Sequence, residues 1–197
     1  MVKKKINIAI FISGRGSNLN NLIKFSKKKY SPIVIKLILS DNRVAKGLDY
    51  ARKNKIKFRI VKYNNRNSSE KKIIKYLKNE NIKLICLAGY LKILSGHFIN
   101  KFRYKILNIH PSLLPKYKGL NTHQRVLVNK DKYSGCTVHY VSKSLDSGQI
   151  ILQKKIRVSK NDTVKTLSKK ILKIEHEIYP KAIMKVLSLK SNFWRKN

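Results

Sequence analysis

Short β-branched runs alternate with segments of helical periodicity along almost the whole chain, and this alternation constrains the fold more than any other feature. Ile6 to Ile12 reads as a strand that ends in Ser13-Gly14-Arg15-Gly16-Ser17-Asn18, after which Leu19, Leu22, Ile23 and Phe25 recur at helical spacing. The pattern returns as strand 34–39, helix 45–53, strand 58–61, helix 69–79 and strand 84–88. It continues through strand 106–109, helix 122–129, strand 136–141, strand 150–153 and a long helix over 164–189 that carries Pro180, an expected kink. Such alternation predicts an α/β fold: a Rossmann-like, doubly wound, mostly parallel sheet with helices on both faces and right-handed crossovers. Ligands of such sheets bind at the carboxyl ends of the strands. The breaks at Gly89, at Pro111 to Gly119 and at Ser147-Gly148 all follow apolar runs and are expected to line that crevice.

The length of 197 residues suits one domain, expected over 1–190, with a polar tail over 191–197. No apolar run is long enough to span a bilayer, and residues 1–11 lack a signal peptide's apolar core, so a cytoplasmic protein is expected. Cys86 and Cys136 sit singly in strand-like runs and read as small buried hydrophobes. The net charge of +37 would ordinarily point to nucleic acid. The lysines, however, mark every predicted exposed face rather than one, from Lys27-Lys28-Lys29 to Lys169-Lys170. With Lys, Asn, Ile and Tyr abundant, the charge reads as a solvated surface of biased composition, and no nucleic-acid partner is expected. The nine acidic residues, by contrast, are scarce enough for each to merit attention.

Three motifs carry candidate chemistry. Gly14-Arg15-Gly16-Ser17-Asn18 places small residues where a helix begins, so that backbone N–H groups can meet a phosphate; it also reads as a tight turn capped by Ser17. The third glycine of a dinucleotide fingerprint is absent, since Leu19 stands there. That weakens a nicotinamide reading in which Asp41 would be the ribose acid. Asn108 and His110, two apart in a strand, project from one face and form a credible oxyanion site, stiffened by Pro111 and Pro115. A single strand-end histidine can equally be structural. Asp146, one of five aspartates, reads either as an ordinary turn residue before Ser147-Gly148 or as the carboxylate that orients His110 and relays a proton.

Taken jointly, residues 12–19, 87–94, 108–115, 118–123, 135–141 and 146–153 closely resemble the phosphoribosylglycinamide formyltransferases, a branch of the folate-dependent formyltransferase superfamily. The resemblance runs nearly end to end. It implies transfer of a formyl group from 10-formyltetrahydrofolate, as cosubstrate, to the amine of phosphoribosylglycinamide in purine synthesis, with no metal. By the same resemblance Asn108, His110 and Asp146 are catalytic, and Gly16, Ser17 and Asn18 hold the substrate phosphate. Glu175 meets the ribose; Leu91, Lys92, Ile93 and Leu94, with Asn108 and the loop from Val141 to Asp146, form the folate pocket. Lys92 stands where the family often has arginine. A monomer or homodimer acting on small molecules is expected, away from membranes. Sister branches that act on tRNA or hydrolyse formyl-folate carry additional domains.

Overall fold

The computed structural model describes residues 5–188, so the tail expected over 191–197 lies outside the described residues. The seven strands follow the order β3-β2-β1-β4-β5-β6-β7 and the chain is α/β, as the alternation of its sequence predicts. It divides into two compact units, one running to Leu107 and the other from Asn108 to Ser188.

In the first unit β1 (Ile6–Ile12) lies between β2 (Ile33–Ser40) and β4 (Leu84–Leu87), with β3 (Phe58–Ile60) beyond β2, and all these pairs are parallel. Central parallel strands are covered on both faces, which is why β1 is apolar without a break from Ile8 to Ile12, all fully buried. The helices α1 (Ser17–Ser26), α2 (Gly47–Lys53) and α3 (Arg66–Asn79) supply the crossovers. The short α4 (Gly96–Lys101) has no periodicity long enough to announce it; Ser95 starts it by accepting the Phe98 N–H at 3.0 Å. The N-cap of α1 also differs from expectation. It is Gly16, in the left-handed region at φ 74°, and no side chain caps the helix.

Chain order reverses between β1 and β4, and here the two strand ends are tied together by the Ser13 N–H donating to the Gly89 carbonyl at 3.0 Å. Tyr90 follows, 9% exposed, its ring edge-on to Phe11 and its hydroxyl buried with no hydrogen-bond partner among the described residues. An unsatisfied buried hydroxyl costs about 1–3 kcal/mol. Tyr90→Phe is therefore expected to stabilise the protein by about 1 kcal/mol, read as a melting temperature raised by about 2–4 °C.

The second unit begins inside β5 (Lys105–His110) and contains α5 (Thr122–Val128), the antiparallel pair β6 (Tyr133–Tyr140) and β7 (Ile150–Arg157), and α6 (Val164–Ser188). Leu167, Ile171, Ile174, Ile178 and Ile183 form the buried stripe that α6 lays on β6 and β7. The helix runs through Pro180 as one element. The antiparallel pairing turns the chain back at 141–149, the loop that carries Asp146.

Candidate active site

Within the second unit, the end of β5 and the 141–149 loop bring together the three residues expected to be catalytic. His110 is 5% exposed, with Nδ1 3.4 Å from Asp146 Oδ2 and Nε2 2.8 Å from the Tyr117 carbonyl. A neutral ring donates to one of these acceptors, an imidazolium to both. The Asn108 amide nitrogen donates to Asp146 Oδ1 at 3.4 Å, and Asp146 Oδ2 also accepts the Gly119 N–H at 2.9 Å. The carboxylate is thus met by His110, Asn108 and Gly119, with His139 Nε2 a fourth neighbour 3.6 Å from Oδ1.

Asp146 holds φ at 45°, a conformation that aspartate tolerates better than most residues. The loop closes tightly behind it, since a Cβ at Gly148 would sit 1.7 Å from the Tyr140 carbonyl oxygen. The proline loop after His110 contains a cis Leu114-Pro115 bond and hangs on Thr137, whose hydroxyl donates to the Ser112 carbonyl at 2.7 Å and accepts the Leu114 N–H at 3.2 Å. Gln153 adds a bond from its amide nitrogen to the Leu114 carbonyl at 2.9 Å.

His139, on β6, is a member of this cluster that sequence reasoning passed over. It is 2% exposed; its Nδ1 lies 2.9 Å from the Tyr140 carbonyl, and its Nε2 lies 3.2 Å from the Asn108 amide nitrogen. The carbonyl requires the proton on Nδ1, which leaves Nε2 as an acceptor. Two acceptors, His139 Nε2 and Asp146 Oδ1, therefore face Asn108 and fix its amide with the NH2 group toward them. The period-two alternation of β6 places His139 with Thr137 on one face, which is the signal the sequence offers.

Burial holds the pKa of His139 below the ordinary histidine value, with His110 adding to the effect, against the Tyr140 carbonyl and Asp146, which act in the other direction. Burial and His110 likewise lower that of His123. A histidine with a depressed folded pKa takes up its proton more readily when unfolded, so stability is retained above about pH 6.5 and falls as pH drops below it. His139→Gln is expected to flatten that fall, measured as melting temperature between about pH 7.5 and pH 5. An unchanged slope would show that His139 is not neutral in the folded protein.

Glu175 lies on the buried face of α6, 7% exposed, and Val141 begins the 141–149 loop, half-buried. Leu145 in that loop is 49% exposed.

The remaining candidates belong to the first unit. Gly16, Ser17 and Asn18 open α1, and the Asn20 N–H donates to the Gly16 carbonyl at 2.9 Å. The turn thus stands at the N-terminus of a helix, the end whose dipole favours an anion. Gly16 is indispensable to the close approach of α2: a Cβ there would lie 2.6 Å from Gly47 Cα.

The segment 89–95 is held at both ends. The Leu91 N–H donates to Ser13 Oγ at 2.9 Å, an Arg66 guanidinium N–H reaches the Ile93 carbonyl at 3.1 Å, and the Ser95 N–H donates to Glu70 Oε1 at 2.8 Å. Tyr63 donates to the same Glu70 oxygen at 2.8 Å; burial raises the Tyr63 pKa and the Glu70 bond raises it further. Leu94 is buried while Leu91 and Ile93 are 66% and 53% exposed, so the fixed backbone presents apolar side chains outward. The carboxylate of Asp41 is committed to the Ser13 hydroxyl at 2.6 Å, which leaves it poorly placed to hold a ribose diol and removes the support for a nicotinamide site.

A strand order that reverses at β1 and β4, with loops gathered at strand ends, defines a doubly wound α/β protein. Residues 6–183 match the formyl transferase family, and the chain belongs to that family. It is 42% identical over 189 residues to the human trifunctional purine biosynthetic protein adenosine-3, covering 94% of this chain and 19% of that protein; the chain thus spans about a fifth of the trifunctional relatives it matches. It is also 39% identical to the phosphoribosylglycinamide formyltransferase of Haemophilus influenzae, covering 89% of this chain and 84% of the relative. The crystal structure of phosphoribosylglycinamide formyltransferase from Brucella melitensis superposes with a TM-score of 0.88 at 39% identity, over 95% of this chain and 98% of that one.

Proposed function

We propose that this protein transfers the formyl group of 10-formyltetrahydrofolate to the amine of phosphoribosylglycinamide, the activity named for its Haemophilus relative. The observation that carries the reading is the convergence of half-buried Asn108, buried His110 and the Asp146 carboxylate at the end of β5 and in the loop after β6. The neutral amine attacks the formyl carbon, and negative charge gathers on the formyl oxygen, where Asn108 donates a hydrogen bond and His110, as imidazolium, turns its Nδ1–H from the longer of its two contacts, that to Asp146 at 3.4 Å, while Nε2 stays on the Tyr117 carbonyl at 2.8 Å. Of the two contacts of the Asn108 amide nitrogen, that to Asp146 at 3.4 Å is longer than that to His139 at 3.2 Å and is the one released to the substrate. Asp146, directly or through water, accepts the proton lost by the amine and helps return one to the departing folate nitrogen. Atoms balance without a metal or covalent nucleophile.

Gly16, Ser17 and Asn18 hold the acceptor's phosphate, and Glu175 its ribose. Leu91 to Leu94, with Val141 to Asp146, receive the pterin. The exposed apolar side chains of Leu91 and Ile93 beside a pinned backbone suit a flat heterocycle. No helix among the described residues is long and apolar enough to cross a membrane. The reading is of a cytoplasmic enzyme acting on small molecules as a monomer or homodimer, in one domain over 1–190.

The deciding experiment follows release of a folate product from a formyl-folate donor with and without acceptor. Turnover that requires the acceptor is expected; donor turnover indifferent to it would point to a hydrolase instead. Because the phosphate does not react, Asn18→Ala is expected to raise the acceptor KM by about tenfold or more with a smaller change in kcat, and inorganic phosphate to compete with the acceptor. Competition against the folate alone would remove this turn from the acceptor site.

A further inference from the structure

Asp41 stands at the end of β2 with its side chain 9% exposed, although a carboxylate is seldom buried without a task. Its Oδ1 accepts the Ser13 hydroxyl proton at 2.6 Å, and its Oδ2 lies 3.8 Å from the Lys92 ammonium. With the hydroxyl proton committed to the carboxylate, a lone pair of Ser13 Oγ is turned to the Leu91 N–H, 2.9 Å away. Every polar group of Ser13 is engaged in this way: its N–H donates to Gly89 at 3.0 Å, and its carbonyl accepts from the Asn42 amide at 3.4 Å. These bonds cross the point where chain order reverses, joining the ends of β1, β2 and β4. Ser13, Asp41, Leu91 and Lys92 also line a cavity of about 510 Å³, of a size that receives small organic ligands.

We propose that Asp41 and Ser13 are positioning residues for the folate: the carboxylate sets the Ser13 hydroxyl, the hydroxyl fixes the Leu91 amide, and the 89–95 backbone is held ready before the donor binds. This rests on the formyl-folate reading above. Neither residue touches the reacting atoms. Removing either link leaves the segment to be ordered at the expense of donor binding. In an Asp41→Asn variant the new side chain keeps an amide oxygen that still accepts from Ser13, so that substitution preserves the latch and loses only the exposed Lys92 contact, a minor contribution.

The test combines kinetics with hydrogen exchange on the full chain. Asp41→Ala and Ser13→Ala are expected to raise the KM for the formyl-folate donor by about tenfold, with kcat within about threefold and the acceptor KM unchanged, while Asp41→Asn stays near the parent. In both alanine variants the Leu91 amide is expected to exchange at least about tenfold faster than in the parent. Folded alanine variants with a parental donor KM overturn the positioning role, as does a loss confined to kcat. Should the parent transfer no formyl group, the functional reading falls by itself; Leu91 exchange at the parental rate in the variants overturns the latch.

Discussion

Asp146→Asn is expected to fold as the parent does and to lose at least about a hundredfold in formyl-transfer turnover, the scale of a missing general base. Asparagine accepts the left-handed backbone at φ 45° and keeps an oxygen for the Gly119 N–H, so the turn survives. What disappears is the charge facing His110 Nδ1 and, in the proposed mechanism, the oxygen that takes the amine's proton. Asparagine would also offer an amide donor to a place that the Asn108 amide already faces as a donor, which further upsets the cluster. The melting temperature should move by the equivalent of about 1 kcal/mol or less. A variant with full turnover would make Asp146 a turn residue and send the proton elsewhere; a variant that fails to fold would be replaced by Asp146→Glu, whose charge is retained but misplaced.

Asn108→Ala and His110→Ala are each expected to reduce kcat by about a hundredfold or more, with a smaller effect on acceptor KM, because an oxyanion donor acts mainly in the transition state. The pair should be strongly non-additive, since both share the Asp146 carboxylate. His139 provides a graded control. Its Nε2 faces the Asn108 amide at 3.2 Å and Asp146 Oδ1 at 3.6 Å, so His139→Phe should give an intermediate loss that shrinks in an Asn108→Ala background without vanishing. Near-normal turnover in both alanine variants, with circular dichroism unchanged, would refute the oxyanion assignment.

Much of the fold is written in local pattern. β1 is legible because the part of a strand buried on both faces, here Ile8 to Ile12, must be apolar, and α6 because a long helix on a sheet must carry a stripe. The short α4 is not legible: at six residues it has less than two turns, and it is started by Ser95 through contacts with Glu70 that come from distant sequence. The N-cap of α1 misleads for a related reason. Ser17 looks like a cap by type, but the cap falls one position earlier, on a left-handed glycine where the approach of α2 leaves no room for a Cβ. At the site, residue types and spacing pick out Asn108 and His110, while Asp146 is ambiguous until the loop is folded. His139 carries too little local signal, because its role lies in the tautomer that the Tyr140 carbonyl imposes.

Gly16 and Gly47 are 31 positions apart in sequence and meet at a separation that leaves no room for a Cβ on either; one at Gly47 would lie 2.6 Å from Ile12 Cδ1 and 3.1 Å from Gly16 Cα. The turn at the head of α1 is consequently encoded twice, once where it stands and once at the start of a helix with no chemistry of its own. A Cβ at Gly16 would press on the backbone of α2 and strain a left-handed residue as well, whereas one at Gly47 would first displace the tip of the Ile12 side chain. In descendants of this sequence Gly16 should therefore be the less replaceable of the two glycines.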